Sequence, residues 1–181
     1  MDIVRKTWEQ LDASEIREVF GLWNRVWPRE DISLKDWIEV DAGPRGLSEF
    51  LHLAYHGDGL KGLARSFERE IVFVDERSRI KVLALAGVCS DPGMRGYGFG
   101  DAVVRDAFSR VDDGGFALSL FQTGVPCFYE RLGAAKVENR FVNSLNREDP
   151  EADPWWDEFR MIYPGPALRR EGLVDLLGPG Y

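Results

Sequence analysis

Arg95-Gly96-Tyr97-Gly98-Phe99-Gly100 stands between an apolar run, Val82 to Cys89, and an amphipathic run, Asp101 to Val111. Glycine tolerates positive φ and, lacking a Cβ, lets an anion approach the main-chain N–H groups that point out of a helix start. Three glycines between a strand-like and a helix-like segment therefore predict a phosphate cradle. In the second run Val103, Val104, Ala107, Phe108 and Val111 recur at three- and four-residue steps, while Arg105, Asp106 and Arg110 fall elsewhere, which predicts a helix with one apolar and one wet face.

Upstream, Ile3 to Glu9 reads as a short strand and Glu15 to Val26 as a helix, with Ile16, Val19, Phe20, Trp23 and Val26 at helical spacing and Ser14 as its N-cap. Pro28 ends that helix. Ser33 caps a second one, Leu34 to Val40, closed by Gly43-Pro44. Phe50 to Tyr55, Gly62 to Val74 and Ile80 to Cys89 alternate with turns at Gly57-Asp58-Gly59 and Asp75 to Ser78, the pattern of a three-stranded meander. Downstream come a strand, Phe116 to Phe121, a short helix, Val125 to Leu132, a strand, Lys136 to Leu145, and a last strand, Glu158 to Tyr163. The strand and helix around the glycine loop make a βαβ unit with the strand that follows.

The chain has 181 residues and reads as one domain, with 146–181 as an extended C-terminal tail. Its 31 acidic and 23 basic residues give a net charge of −8, without the basic excess that sequence-blind nucleic-acid binding requires. Two cysteines, Cys89 and Cys127, lie among apolar neighbours and are too few for a disulfide framework or a zinc site, so reduced buried thiols and no metal are expected. The opening Met1-Asp2-Ile3-Val4-Arg5-Lys6 lacks a signal-peptide core and no run approaches the roughly 20 apolar residues of a membrane span. A cytoplasmic protein that engages neither membrane nor nucleic acid is expected.

Two phosphate-binding chemistries fail on the residues. A Walker loop needs Gly-Lys before Ser or Thr, and the chain contains no Gly-Lys pair. A dinucleotide fingerprint wants its glycines directly after the strand and an acid closing the next one, whereas Ser90 to Met94 intervenes and the next strand closes on Phe121-Gln122-Thr123.

Arg95 to Gly100 does fit, in full, the Arg/Gln-x-x-Gly-x-Gly/Ala pattern of motif A in the GNAT superfamily of N-acetyltransferases, which use acetyl-coenzyme A. Phe128-Tyr129-Glu130-Arg131-Leu132-Gly133-Ala134 resembles the family's Phe-Tyr-Glu-Lys-Leu-Gly-Phe segment, about 30 residues on with the expected strand between. The resemblance implies an α+β acyl-CoA N-acyltransferase fold, a mixed central sheet of about six or seven strands flanked by helices. It implies that Arg95, Gly96, Tyr97, Gly98, Phe99 and Gly100 hold the pyrophosphate and that the backbone of Val88, Cys89 and Ser90 pairs with the pantetheine arm. Leu120, Phe121 and Gln122 then line the other side of the slot, with Gln122 where many relatives carry an asparagine that touches the coenzyme. Tyr129 takes the position of the general acid. A phenol of pKa about 10 can protonate a departing thiolate of pKa about 8.5.

The general base is not evident, because the inward set of the strand before the loop reads Val82, Ala84, Ala86, Val88. His52, His56, Glu68, Glu70, the terminal carboxylate of Tyr181 and a water relay remain candidates. The tail, Trp155 to Pro164 with Leu173 to Tyr181, is loosely similar to the aminoglycoside 2'-N-acetyltransferase branch, although Ala86 stands where that branch carries a glutamate. Trp27, Trp37, Trp155 and Trp156 are either an acceptor wall or core. Acetyl transfer to the primary amine of a small molecule or peptide is the activity implied. A catalytically silent acyl-CoA sensor, a longer-chain acyltransferase and a homodimer stay open.

Overall fold

The computed structural model describes every residue except 30, 41, 42, 44, 45, 58 and 166–171. Pro44 and Asp58, expected in turns, lie outside the described residues. Among the described residues, nine strands hydrogen-bond into one mixed sheet: β1 (Asp2–Lys6), β2 (Leu47–His56), β3 (Gly59–Phe73), β4 (Ser78–Ser90), β5 (Ser119–Thr123), β6 (Ala135–Lys136), β7 (Arg140–Val142), β8 (Phe159–Tyr163) and β9 (Leu173–Asp175). Their order is β1-β2-β3-β4-β5-β8-β6, with β9 pairing β3 and β7 off this path. Among the described residues, four α-helices accompany them: α1 (Ala13–Val26), α2 (Leu34–Val40), α3 (Phe99–Asp112) and α4 (Pro126–Glu130). The chain forms two compact units, Met1–Phe67 with Gly87–Ala107 and Glu68–Ala86 with Phe108–Tyr181, so β3, β4 and α3 each run through both.

In the first unit β1 and β2 are antiparallel, Arg5 facing His52 and Val4 facing Leu53. Alternation puts Leu51 and Leu53 into a core shared with Val19 and Leu22 of α1, Trp37 of α2, Leu60 and Leu63 of β3 and Cys89 of β4. Burying each such aliphatic side chain contributes about 1.5–3 kcal/mol. Trp37 lies in contact with Phe20 and Trp23, ring centroids 5.5 and 6.1 Å away. Arg65 is buried beside Glu49, Nε to Oε1 2.7 Å, and also donates to the Gly43 carbonyl. Trp8 Nε1 donates to the same Glu49 oxygen, so the buried charge is fully engaged.

In the second unit β4 and β5 are parallel, Leu83 opposite Ser119, and β8 runs antiparallel to β5 with Leu120 opposite Ile162. A parallel pair needs a crossover, which α3 supplies. Phe108 of α3 stacks on Tyr163 of β8 at 3.9 Å between ring centroids, and Tyr163 Oη donates to Asp112.

Several local expectations shift. The cap of α1 is Asp12, whose Oδ1 accepts from Ser14 N and Glu15 N while Glu15 reaches back to Asp12 N, a capping box one turn-start earlier than Ser14. Ser33 does cap α2, its Oγ accepting from Asp36 N. The strand expected at Phe116 begins at Ser119, since Gly114 turns the chain at positive φ and Phe116 lies beneath the Arg110 guanidinium. Lys136 to Leu145 is two strands with different partners, β6 on β8 and β7 on β9. Glu158 to Tyr163 is not the last strand, because β9 follows it.

The cap is directly testable. Asp12→Ala should lower stability by about 1 kcal/mol, read as a fall in the urea midpoint at constant m, whereas Ser14→Ala should change it by less than about 0.5 kcal/mol.

Candidate functional site

The glycine loop is assembled entirely within the first unit. Gly87, at φ +56, breaks the regular pleat of β4, and a Cβ there would lie 3.1 Å from the Trp23 ring and 3.4 Å from Arg65 Cδ. Beyond it Cys89 turns its side chain into the core while Val88 and Ser90 are half-buried. Burial pushes the Cys89 thiol up to about 12, which disfavours the thiolate. Asp91 then turns the chain: its N–H donates to the Lys61 carbonyl, its Oδ1 accepts from Gly93 N, and its Oδ2 pairs with Arg25 at 3.1 Å.

After the turn Pro92–Met94, Gly96 and Gly98 adopt φ of +85 and +84, and α3 begins at Phe99. A Cβ on either glycine would meet nothing within 4 Å, so backbone conformation rather than crowding demands glycine here. The loop is exposed, Tyr97 included, and presents the opening N–H groups of α3, which have no intrahelical acceptor. Two exposed positive-φ glycines at the positive end of a 14-residue helix fit a pyrophosphate.

The helix start sits low on the sheet. At Gly62 of β3 a Cβ would lie 3.1 Å from Phe99 Cβ and 3.2 Å from Ala54 Cβ, so that glycine permits the close approach. His56, exposed, lies 5.9 Å from Phe99 between ring centroids. His52 is fully buried, with Nδ1 2.5 Å from Asp106 Oδ2 and Nε2 2.6 Å from Ser66 Oγ. Arg5 donates from Nε and Nη2 to the Asp106 carboxylate and from Nη2 to its carbonyl at 2.7 Å. Asp106, expected on the wet face of α3, is thus turned toward the sheet. The order Ser66-His52-Asp106 is that of a nucleophile triad, but Ser66 is fully buried and has no route to a substrate.

In the second unit Leu120, Phe121, Gln122 and Tyr129 are all buried. Tyr129 of α4 packs against Phe121 at 4.7 Å and edge-on to Phe128 at 4.8 Å. Gln122 holds the tail: Oε1 accepts from Trp156 N at 2.9 Å and Asp157 N at 2.8 Å, and Nε2 donates to the Tyr181 main-chain oxygen at 3.1 Å. Both acceptor sites of the Gln122 amide and one of its two donors are engaged by the chain's own tail. Tyr181 is buried against Trp155, with Arg69 over its ring.

Among the other base candidates, Glu68 pairs with Lys81 at 2.7 Å and Glu70 with Arg79 at 3.0 Å. The four tryptophans divide, Trp37 and Trp155 being core and Trp27 and Trp156 exposed. Cys127 is exposed, contrary to the expected burial, because α4 turns it away from the unit that buries Tyr129. A cavity of about 480 Å³ in this unit is lined by Lys136, Glu138, Arg140, Glu151, Asp153 and Arg160. Arg140–Glu151 and Arg160–Asp153 pair with each other there, so the lining is largely self-neutralised.

Gly62, Gly87, Ser66 and the inward turn of Asp106 had no signal in the sequence; only the register of β1 to β3 beneath α3 reveals them.

Two measurements follow. Burial opposes the charged form of Asp106, but hydrogen bonds from His52 and Arg5 outweigh it and hold the carboxyl at about 2 against the ordinary 3.8. Between those values the unfolded chain binds more protons, so this contribution is complete above the unfolded value and is lost as pH falls through the folded one. Asp106→Asn should flatten that segment of the stability–pH curve, measured by urea unfolding. Gln122→Ala should cost roughly 1–3 kcal/mol by orphaning two tail amides, read the same way.

A family model described as an acetyltransferase (GNAT) domain matches residues 7–137. The fold is similar to an acetyltransferase of the GNAT family from Staphylococcus aureus Mu50, with TM-score 0.57 and 13% identity over 89% of this chain and 98% of that one. It is also similar to a Trypanosoma brucei acetyltransferase, with TM-score 0.58 and 20% identity over 76% and 95% of the two chains. A GCN5-related N-acetyltransferase from Kribbella flavida matches with TM-score 0.54 and 20% identity over 75% of this chain, which spans only 33% of that longer protein. No curated protein sequence matches the chain. None of these findings supports the aminoglycoside 2'-N-acetyltransferase branch specifically. With a family match over most of its length, and with Gly96 and Gly98 at positive φ just ahead of α3, the chain belongs to the GNAT family of acetyltransferases.

Proposed function

We propose that the chain moves an acetyl group from acetyl-coenzyme A to a primary amine of a small molecule or peptide by direct transfer. The observation that carries this reading is the pair of positive-φ glycines, Gly96 and Gly98, placed in the open at the N-terminus of α3. Arg95 to Gly100 hold the pyrophosphate, and the backbone of Val88, Cys89 and Ser90 pairs with the pantetheine arm. The coenzyme supplies the activated acetyl thioester.

The amine attacks the thioester carbonyl, the carbon–sulfur bond breaks, and Tyr129 Oη gives its proton to the departing thiolate. Ring contacts with Phe121 and Phe128 hold the Tyr129 side chain in place for this role. Direct transfer needs no side-chain nucleophile, and Cys89 and Ser66 are both buried. The proton lost by the amine leaves through water or through His56, whose exposed ring lies beside Phe99. The chain acts in the cytoplasm. Its net charge of −8 favours a cationic amine over an anionic polymer as acceptor, and among the described residues no helix is long and apolar enough to cross a membrane.

One observation favours a second reading, a silent acyl-CoA sensor: the inward face of β4 offers only Val82, Ala84 and Ala86, and His52 is sealed. Acetyl-CoA turnover against a panel of amines separates the two. Tyr129→Phe should lower kcat about a hundredfold with little change in KM for acetyl-CoA. Gly98→Val should abolish coenzyme binding by forcing a β-branched residue to positive φ. Coenzyme binding without amine-dependent thiol release would favour the sensor, and no binding at all would sink both readings.

A further inference from the structure

Three neighbouring strands place Arg5, His52 and Ser66 together beneath α3. Arg5 and His52 are direct partners in the β1–β2 register, so both side chains leave the same face. Asp106, on the second turn of α3, meets them there: Arg5 grips its carboxylate from Nε at 3.2 Å and Nη2 at 3.0 Å, and His52 Nδ1 lies 2.5 Å from Oδ2. Ser66 Oγ, 2.6 Å from Nε2, fixes the far side of the imidazole. Both ring nitrogens are therefore committed, and no part of His52 is accessible to a substrate.

Neither proton transfer nor nucleophilic attack is open to such a cluster, yet it joins a buried histidine, a carboxylate and a guanidinium at hydrogen-bond distance. Its mechanical effect is specific. The first turn of α3 rests on Gly62 through Phe99, a contact without directional bonds. Bidentate Arg5–Asp106 and His52–Asp106 bonds add direction, tying this part of α3 to β1 and β2 in both rotation and axial register.

We propose that Arg5, His52, Asp106 and Ser66 are positioning residues for the donor, fixing the register of α3 on the sheet and thereby the aim of the N–H groups at its N-terminus. The inference rests on reading Arg95 to Gly100 as the coenzyme cradle. It replaces the role of His52 as a base with one exerted through the helix.

The test measures coenzyme A binding by calorimetry on the whole chain, with the urea midpoint of each variant recorded alongside. His52→Gln keeps a donor near Ser66 and loses the one to Asp106, while His52→Asn keeps the donor to Asp106 and loses the other. His52→Gln and Asp106→Asn should each weaken binding about tenfold or more, and His52→Asn should recover to within about threefold of wild type. Val19→Ala, which removes core volume from α1, should destabilise the chain without weakening binding. Should Asp106→Asn not fold, Arg5→Gln at the solvent end of the network takes its place, with an expected loss of about threefold or more. His52→Gln binding as tightly as wild type, or Val19→Ala weakening binding as much as His52→Gln, overturns the positioning role alone. A wild-type chain that binds no coenzyme A overturns the cradle reading beneath it.

Discussion

The carboxylate of Asp106, held by Arg5 and His52, ties α3 to the strands below it. An anion cradle made from a helix start works only if the N–H groups point where the phosphates lie, and dipolar interactions of this kind fall off within the first turn. The protein meets the requirement at two depths. Gly62 lets the opening turn descend onto β3, and the Asp106 network sets the second turn. With the helix placed, Gly96 and Gly98 need only supply positive φ, which accounts for the open space around them.

Burying this network has a physical cost that its pairing offsets. An isolated buried carboxylate would take up a proton, whereas donors from two side chains keep Asp106 ionised far below the ordinary carboxylate range. Glu49 and Arg65 follow the same logic in the same unit, each using the other together with Trp8 and a main-chain carbonyl. Buried charges of this sort give little net stability but penalise any arrangement that leaves one partner unpaired. They therefore serve register better than they serve stability.

The second unit uses a neutral version of the device. Gln122 spends its amide on three main-chain groups of the tail, and Tyr181 closes over Trp155. A longer side chain than asparagine reaches the tail, which explains why glutamine at this position is compatible with the fold even though its amide is turned to the chain itself. Trp156, beside the amide that Gln122 holds, keeps its own ring exposed.

The glycine loop, the helix that follows, the meander and the Phe128-Tyr129 segment were legible in the sequence, because each is encoded by local rules: positive φ at glycine, helical spacing of apolar residues, alternation in strands. The family match agrees with that reading. What the tertiary structure alone decided are properties of pairing between segments far apart in the chain. Periodicity placed Asp106 on a polar face without saying that Arg5 and His52 would meet it, and residue type left His52 one of several candidate bases without saying that Ser66 and Asp106 would occupy both its nitrogens. Lys136 to Leu145 read as one strand because local propensity is blind to the change of partner from β8 to β9. Local signals were enough to place a positive-φ glycine loop ahead of α3. The register of β1, β2 and β3 settled which side chains hold that helix, because side-chain hydrogen bonds depend on distance in space rather than along the chain.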